Sequence, residues 1–508
     1  MRVRERSATL TQSELDAVLR PREVTVQETH DGASGFVAVD GPVSEYRRTV
    51  TVTPLDDGRF RVEQRVQFNR SADIGMWDLY VGPLLAAHLG RIGPNDKAPF
   101  WYPPDRVDAH AISVLGRLST LAFVLGYTSY LLSQTITYAA EEFGANKAAQ
   151  GVALATVRAD VVIALPLAFL ADRRGRRWLT VNGTAAACVL SAAGALAPNL
   201  VGLTAAQVLA RGCVNACIVI SAVMLAEEMP AGARSWATSL AAMATAVGSA
   251  ICVLALPLAD LSDGAWRILY VIPLAFIPFV YRTGRGIHET RRYVVHAANR
   301  VSASKTATVM RTHRGRFALI AGSAALISLF STPALQFQNE WLRNDRGFNG
   351  AQIAAFVTIT SLPGAIGIFV GGRLAESGRR GVGAVATFFG VGLTIAQYWS
   401  YGALIYVWST FGSIIGAAAV PALAVYGPEL FPTEARGAAN GGIGFASRIG
   451  SVIGLVAVGA LGDRIGLPRA ITYMAIGPVV LTILILVAYP ETAHHTLEEL
   501  NPEDEQIP

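Results

Sequence analysis

Asp160 is an acid set inside a long apolar run, 148–170, and Arg158 stands two residues before it. Arg448 lies inside another such run, 438–461. A charge enclosed by apolar surroundings is costly unless it is paired or put to use. These three residues are therefore the first candidates for chemistry. A carboxylate there can carry a proton or pair with a guanidinium; an arginine can do the pairing or bind an anion. A structural salt bridge with no further role is the plain alternative. Arg211, in the run 200–225, reads as a structural or gating residue rather than a ligand. In the first run, the neutral polar residues Tyr127, Thr128, Tyr130, Ser133 and Gln134 can offer hydrogen bonds to a small solute. Gln336, Gln338 and Asn339 either line an entrance or are interfacial polar residues. Other chemistry finds no support. Cys188, Cys213, Cys217 and Cys252 all fall inside apolar runs, without metal-ligand spacing. No nucleophile–base spacing or phosphate loop is present, so neither an enzyme nor a cofactor is expected.

Something must hold those charges at depth. Beyond residue 117 the chain shows twelve apolar runs, at about 118–140, 148–170, 178–197, 200–225, 234–259, 264–281, 317–340, 351–373, 382–401, 404–427, 438–461 and 470–489. Each is long enough to cross ~30 Å of hydrocarbon as a helix, and helices satisfy their own backbone there. Composition agrees, with 52% hydrophobic and 16% charged residues, where a soluble chain carries about a quarter charged. Asp160 lies about 11 residues from the nearer end of its run, hence roughly 16 Å deep. The charge of +5 is unevenly spread. The joint Ala171–Trp178 reads ADRRGRRW, and residues 282–316 hold nine Lys/Arg against one Glu. The opposite joints are short and balanced. Basic joints face the cytoplasm in multi-pass proteins, which places both termini there. The basic balance thus reports topology rather than nucleic-acid binding.

The first hundred residues are polar, and no cleavable signal peptide is expected. Residues 1–20 read as a flexible basic start or a short helix. EVTVQETH, GFVAVDG, YRRTVTVTPLDD and GRFRVEQRVQFN read as strands, the last two joined at Asp56-Asp57-Gly58. Met76–Ile92 reads as an amphipathic helix. The order is similar to the later part of a START-like lipid-binding fold; a plain cytoplasmic appendage is the alternative. Pro99–Ala109, with three aromatics, reads as a rigid linker at the membrane interface.

Two segments repeat. YGPELFPTEARG, Tyr426–Gly437, has a weaker copy in EEMPAGARS, Glu227–Ser235. Glu227 matches Glu429, Pro230 matches Pro432 and Arg234 matches Arg436, each pair 202 residues apart. The stretch from Ala168 through Asp172, Arg173, Gly175, Arg176 and Arg177 has a degenerate copy from Gly372 through Glu376, Gly378, Arg379 and Arg380. These motifs resemble those of the major facilitator superfamily, with Ala168 in place of the usual glycine. Arg211-Gly212 fits another facilitator motif. The tail PETAHHTLEEL, Pro490–Leu500, and IHETRRYV after the sixth run resemble the sugar-porter and metabolite-porter branches. The resemblance covers about 118–500.

The resemblance implies an all-α membrane protein of twelve helices in two six-helix pseudo-symmetric bundles, 106–281 and 317–489. A basic linker, 282–316, joins them; a small α+β cytoplasmic domain, 1–105, precedes them and a tail, 490–508, follows. It implies secondary transport of a small organic solute across the cytoplasmic membrane by a monomer embedded in lipid, with protons as the coupling ion. The mid-span arginines favour an anionic metabolite. A drug or secondary-metabolite exporter, or a transporter-like sensor signalling through residues 1–105, are the alternatives. Helices 2 and 11 meet across the halves in this superfamily, which would make Asp160 and Arg448 face each other or the cavity. Arg176 and Arg177 near Glu227, and Arg379 and Arg380 near Glu429, would form pairs only when the cytoplasmic side is shut, with Arg234 and Arg436 completing each cluster. Two departures stand out. Aromatic-acid porters carry acids in helix 1 where this chain has Leu125-Gly126-Tyr127-Thr128, so proton coupling would rest on Asp160 or be absent. The glutamines of sugar porters in mid-helix 7 are replaced by Ser331 and Thr332.

Overall fold

The computed structural model describes residues 2–32, 35–70, 82–93, 99, 101–103, 105–230, 233–289, 313–375, 378–431 and 433–492. Its N-terminal part is an antiparallel sheet of five strands: β1 (Arg2–Leu10), β2 (Gln27–His30), β3 (Gly35–Asp40), β4 (Val43–Pro54) and β5 (Phe60–Arg70), in the order β1-β5-β4-β3-β2. The expected β4–β5 hairpin closes with Pro54 opposite Phe60, and Gly58 takes φ 74 in its turn. The start of the chain holds the expected short helix but departs from expectation before it. Residues 2–10 are a strand along β5, followed by the short helix α1 (Gln12–Val18). As an edge strand β1 exposes most of its side chains, so its polar pattern hid it. The described part of the expected second helix is α2 (Gly82–Leu89); residues 76–81 lie outside the described residues.

Behind the sheet a charged network is fully buried. Arg48 holds Glu28 at 2.6 Å and donates to the Val18 carbonyl at 2.8 Å. Arg22 donates to the carbonyls of Leu89 and Arg91, both at 2.8 Å. Tyr46 donates to Glu28 at 2.6 Å, and burial pushes its phenol up. Each guanidinium ties a helix end to the sheet, and every group has partners, which is what makes buried charge tolerable.

The rest is helical: α3 (Ala109–Phe143), α4 (Lys147–Thr156), α5 (Val161–Arg174), α6 (Arg176–Ala193), α7 (Leu200–Glu228), α8 (Arg234–Leu254), α9 (Trp266–Gly284), α10 (Arg314–Gln336), α11 (Gly350–Ser361), α12 (Gly364–Ala375), α13 (Arg379–Trp399), α14 (Ala403–Ala424), α15 (Thr433–Ile465), α16 (Leu467–Met474) and α17 (Ile476–Ala488). Starts are capped as the sequence dictates. Asp108, Asn146, Asn199 and Asn349 each accept from a backbone N–H in the first turn of α3, α4, α7 and α11. Ten helices among the described residues are long and apolar enough to cross a membrane. Two of the twelve runs fall outside that set. The second is split into α4 and α5 by a 3₁₀ turn at Val157–Asp160. The sixth, α9, carries Arg267 and Arg282 near its ends.

The packing repeats. In the first half α3 lies on α8 and α6 on α7; in the second, α10 lies on α15 and α13 on α14. The end of the bundle bearing the basic joints is here the hinge face, the other the far face. On the far side one apolar core draws on both halves, with Leu132, Leu154 and Trp266 beside Trp341, Phe356 and Leu455. Towards the hinge face the core divides. Leu115, Leu179 and Met224 belong to a cluster confined to residues 107–287. Ile320, Tyr426 and Tyr489 belong to one confined to residues 317–489. Among the described residues a shared apolar core joins the halves at one end and not at the other.

Candidate functional site

The 3₁₀ turn that splits the second run ends at Asp160, which is 2% exposed. Such a turn within a helix often marks a functional hinge. Two other helices converge on the carboxylate. Arg448 of α15 pairs with Oδ1 across the two halves, and also donates to the Arg158 carbonyl at 3.3 Å. Asn215 of α7 donates to Oδ2 at 2.5 Å. Arg211, one turn earlier on α7, sets its Nε 3.8 Å from Oδ2 and donates to the Ser129 carbonyl of α3 at 3.1 Å. The glycine after Arg211 permits this approach: a Cβ at Gly212 would meet Ile163 and the Asp160 carbonyl. The Arg448 side chain remains 34% exposed, so the pair opens onto the space between the halves. The Arg158 guanidinium makes no hydrogen bond or ion pair among the described residues, but lies within electrostatic range of Asp160, Arg211 and Arg448.

At the hinge face the expected clusters are arranged differently. Arg176 pairs with Glu227, both within the first half. That pair is formed although no shared core joins the halves at this end among the described residues, whereas the resemblance implied it only with the cytoplasmic side shut. It ties α6 to α7 within one rigid body. The backbone N–H groups of Arg176 and Arg177 donate to Glu289, at 2.9 and 3.2 Å. In the second half those of Arg379 and Arg380 donate to Glu491, at 3.0 and 3.2 Å. Each acid caps the start of a helix, where a carboxylate is favoured. Glu289 and Glu491 are 202 residues apart, the spacing of the other repeats. That spacing was the available signal for two acids whose role sequence reasoning missed. Gly175 takes φ 103 beneath Glu289, a conformation that favours glycine. Of the other hinge residues, Asp172, Arg173, Arg234, Glu429 and Arg436 have side chains outside the described set, as does Glu376 altogether.

The far face carries the bonds between halves. Arg343 donates to Glu141 and to Asp260, both at 2.8 Å. Gln150 donates to the buried Glu340 at 3.1 Å, and Asn339 to Gln134 at 2.8 Å. Asp463 accepts from the backbone of Lys147 at 3.0 Å and of Ala148 at 2.9 Å, capping α4 from the other half.

The model of the Major Facilitator Superfamily matches residues 118–283 and 317–506. The chain belongs to the major facilitator superfamily. Members of it are transporters, not enzymes. No curated protein matches the sequence significantly. Among solved structures, a bacterial homologue of the human lysosomal transporter Spinster, inward-facing and unoccupied, superposes with a TM-score of 0.64 at 14% identity, covering 75% of this chain and 97% of that one. The inward open xylose transporter XylE from E. coli gives 0.62 at 15% identity, covering 77% and 99%. The nucleoside transporter NupG gives 0.62 at 13%, covering 74% and 100%. At these identities the likeness is one of fold.

Within this facilitator fold, Tyr127, Thr128 and Gln134 do not gather around Asp160, whereas Tyr130 lies within electrostatic range of Arg211. The Tyr127 hydroxyl is buried and donates to the Leu269 carbonyl of α9 at 3.1 Å. Thr128 donates within its own helix, to Leu125 at 3.0 Å. Gln134 is engaged by Asn339 at the far face. The structure adds Asn215 and brings Arg211 to the carboxylate. Asn215 lies four residues after Arg211, the interval that puts two side chains on one helix face.

Proposed function

We propose that this protein is a twelve-helix secondary transporter, with six helices per half, that moves a small anionic solute across the cytoplasmic membrane. The termini and residues 282–316 lie in the cytoplasm, and proton binding at Asp160 drives the transport. One observation carries this reading: an ion pair between halves, Asp160 with Arg448, at the level where the shared core divides. A solute anion entering from the open end meets Arg448 first. A proton on Asp160 removes its claim on Arg448 and frees that guanidinium for the solute. Rocking of one half against the other then carries both across.

The test uses purified protein in proteoliposomes. Asp160→Asn should abolish accumulation driven by a pH gradient while sparing solute exchange at equal concentrations. Full pH-driven uptake by that variant would show the carboxylate to be structural. Arg448→Gln should weaken binding of an anionic solute. Orientation is checked separately: cysteines introduced at Arg285 and Arg346 should label from opposite sides of the membrane.

A further inference from the structure

The charges around Asp160 do not balance. Arg158, Arg211 and Arg448 surround one carboxylate. Asp160 is the one carboxylate acting on Arg158 and on Arg211 among the described residues. Its two oxygens are taken by Arg448 and Asn215, with Arg211 at 3.8 Å. The Arg211 Nε is buried without a hydrogen-bond partner, and the Arg158 guanidinium is likewise unpartnered among the described residues. Arg211 is 18% exposed and Arg158 is half-buried, so two positive charges lack a counter-charge where solvent screens them only in part, and such an excess of one sign is unfavourable.

The Arg48–Glu28 site of the N-terminal sheet also has one more arginine than acid, but there every guanidinium is bonded to carboxylate or carbonyl. The mid-span cluster has the opposite character. Its donors come from α7, α15 and the 3₁₀ turn, hence from both halves. We infer that the solute is a dianion, a dicarboxylate or a phosphate monoester, whose two charges are met by Arg211 and Arg158; when a proton neutralises Asp160, Arg448 becomes a third guanidinium for it and ties it to the other half. This rests on the transport reading above and sharpens it. A neutral sugar or a cation would leave the excess charge in place or add to it. A monoanion would cancel half of it.

The experiment compares charge at fixed skeleton. Binding to the purified full chain is measured by calorimetry for dicarboxylates of three to eight carbons and for their monoamides and diamides, with inorganic phosphate and glycerol 3-phosphate alongside. The best dianion should bind at least about tenfold tighter than its monoamide, and the diamide should not bind. Arg158→Gln should bring dianion and monoamide together, while Arg158→Lys should preserve most of the preference. A ligand-free measurement backs this up. Sulfate should raise the thermal midpoint of the wild-type protein more than chloride at equal ionic strength, and Arg158→Gln should remove the difference. Monoanions or neutral compounds binding as tightly as every dianion tested would overturn the inference, as would an unchanged preference in Arg158→Gln. Dianion binding with that arginine dependence but no flux in proteoliposomes would leave the inference standing and remove the transport reading. Flux of a neutral or monoanionic solute, unaffected by the dianions, would do the reverse.

Discussion

At the far face Arg343 of the second half holds Glu141 and Asp260 of the first, whereas at the hinge face Arg176 holds Glu227 within one half. The residue types are alike and the consequences differ. A bond inside a half survives any rocking of that half and makes it rigid. A bond between halves exists in one state only and biases the equilibrium between states. Several far-face bonds act together, and a network can shift a population where one exposed pair would not. On the transport reading, the conspicuous pair Arg176–Glu227 stiffens one half, while the far-face joints, inconspicuous in sequence, hold the state.

The strongest way to break this comparison is to wedge the far face apart. A Cβ at Gly151 of α4 would meet the Leu455 carbonyl of α15 at 2.5 Å and the Gly459 Cα at 3.2 Å. Gly151→Val should cost about 1–3 kcal/mol in the closed state. Spin labels at Ala145 and Arg464, one on each half, should then report a longer distance. An unchanged distance would mean that this contact does not hold the halves together.

Glu289→Ala and Glu491→Ala test the other end. Each removes a carboxylate cap from a helix start, a loss of about 1–2 kcal/mol. The thermal midpoint should fall in both variants while the label distance stays as in wild type. A changed distance would place these caps in the switch rather than in the rigid halves.

Arg343→Ala should have a smaller effect of the same kind as the wedge, about 1 kcal/mol, because its side chain is 24% exposed and screened. The label distance should lengthen in part. The difference from wild type should shrink in high salt, whereas that of Gly151→Val should not.

Smallest is the joint between the N-terminal sheet and the first half. Trp236 of α8 donates to the Trp101 carbonyl at 3.0 Å, and Arg106 holds Asp40 at 3.0 Å. Burial pushes the neighbouring Tyr102 phenol up to about 12, so it stays neutral over the working range of pH. Trp236→Phe should cost at most about 1 kcal/mol, seen as faster proteolysis in the linker. Deletion of residues 1–105 should leave insertion of the helices intact; failure to insert would make the domain part of the bundle.

Much of this was legible in the chain. Hydropathy located the runs because burial in lipid demands about twenty apolar residues whatever their neighbours. The 202-residue spacing exposed the repeat, and Asp160 stood out because acids are rare at that depth. Less legible was β1, whose exposed edge position leaves no alternation to read. The destination of Tyr127 was misleading, since a tyrosine facing a cavity and one donating to Leu269 look the same in sequence.

Sequence alone therefore determined the local features: where helices start, through Asp108, Asn146, Asn199 and Asn349, which runs are apolar, and which residues carry charge. The family resemblance implied the pairs Asp160–Arg448 and Arg176–Glu227; the other partners of these charges were decided by tertiary structure. Arg211, Asn215 and Arg448 reach Asp160 from 51, 55 and 288 residues away. Each step along a helix turns the side chain by about 100°, so a partner that distant is fixed by the rotation and tilt of packed helices. Glycines such as Gly212, which let two backbones approach, set that rotation, and their effect exists only once the helices are together.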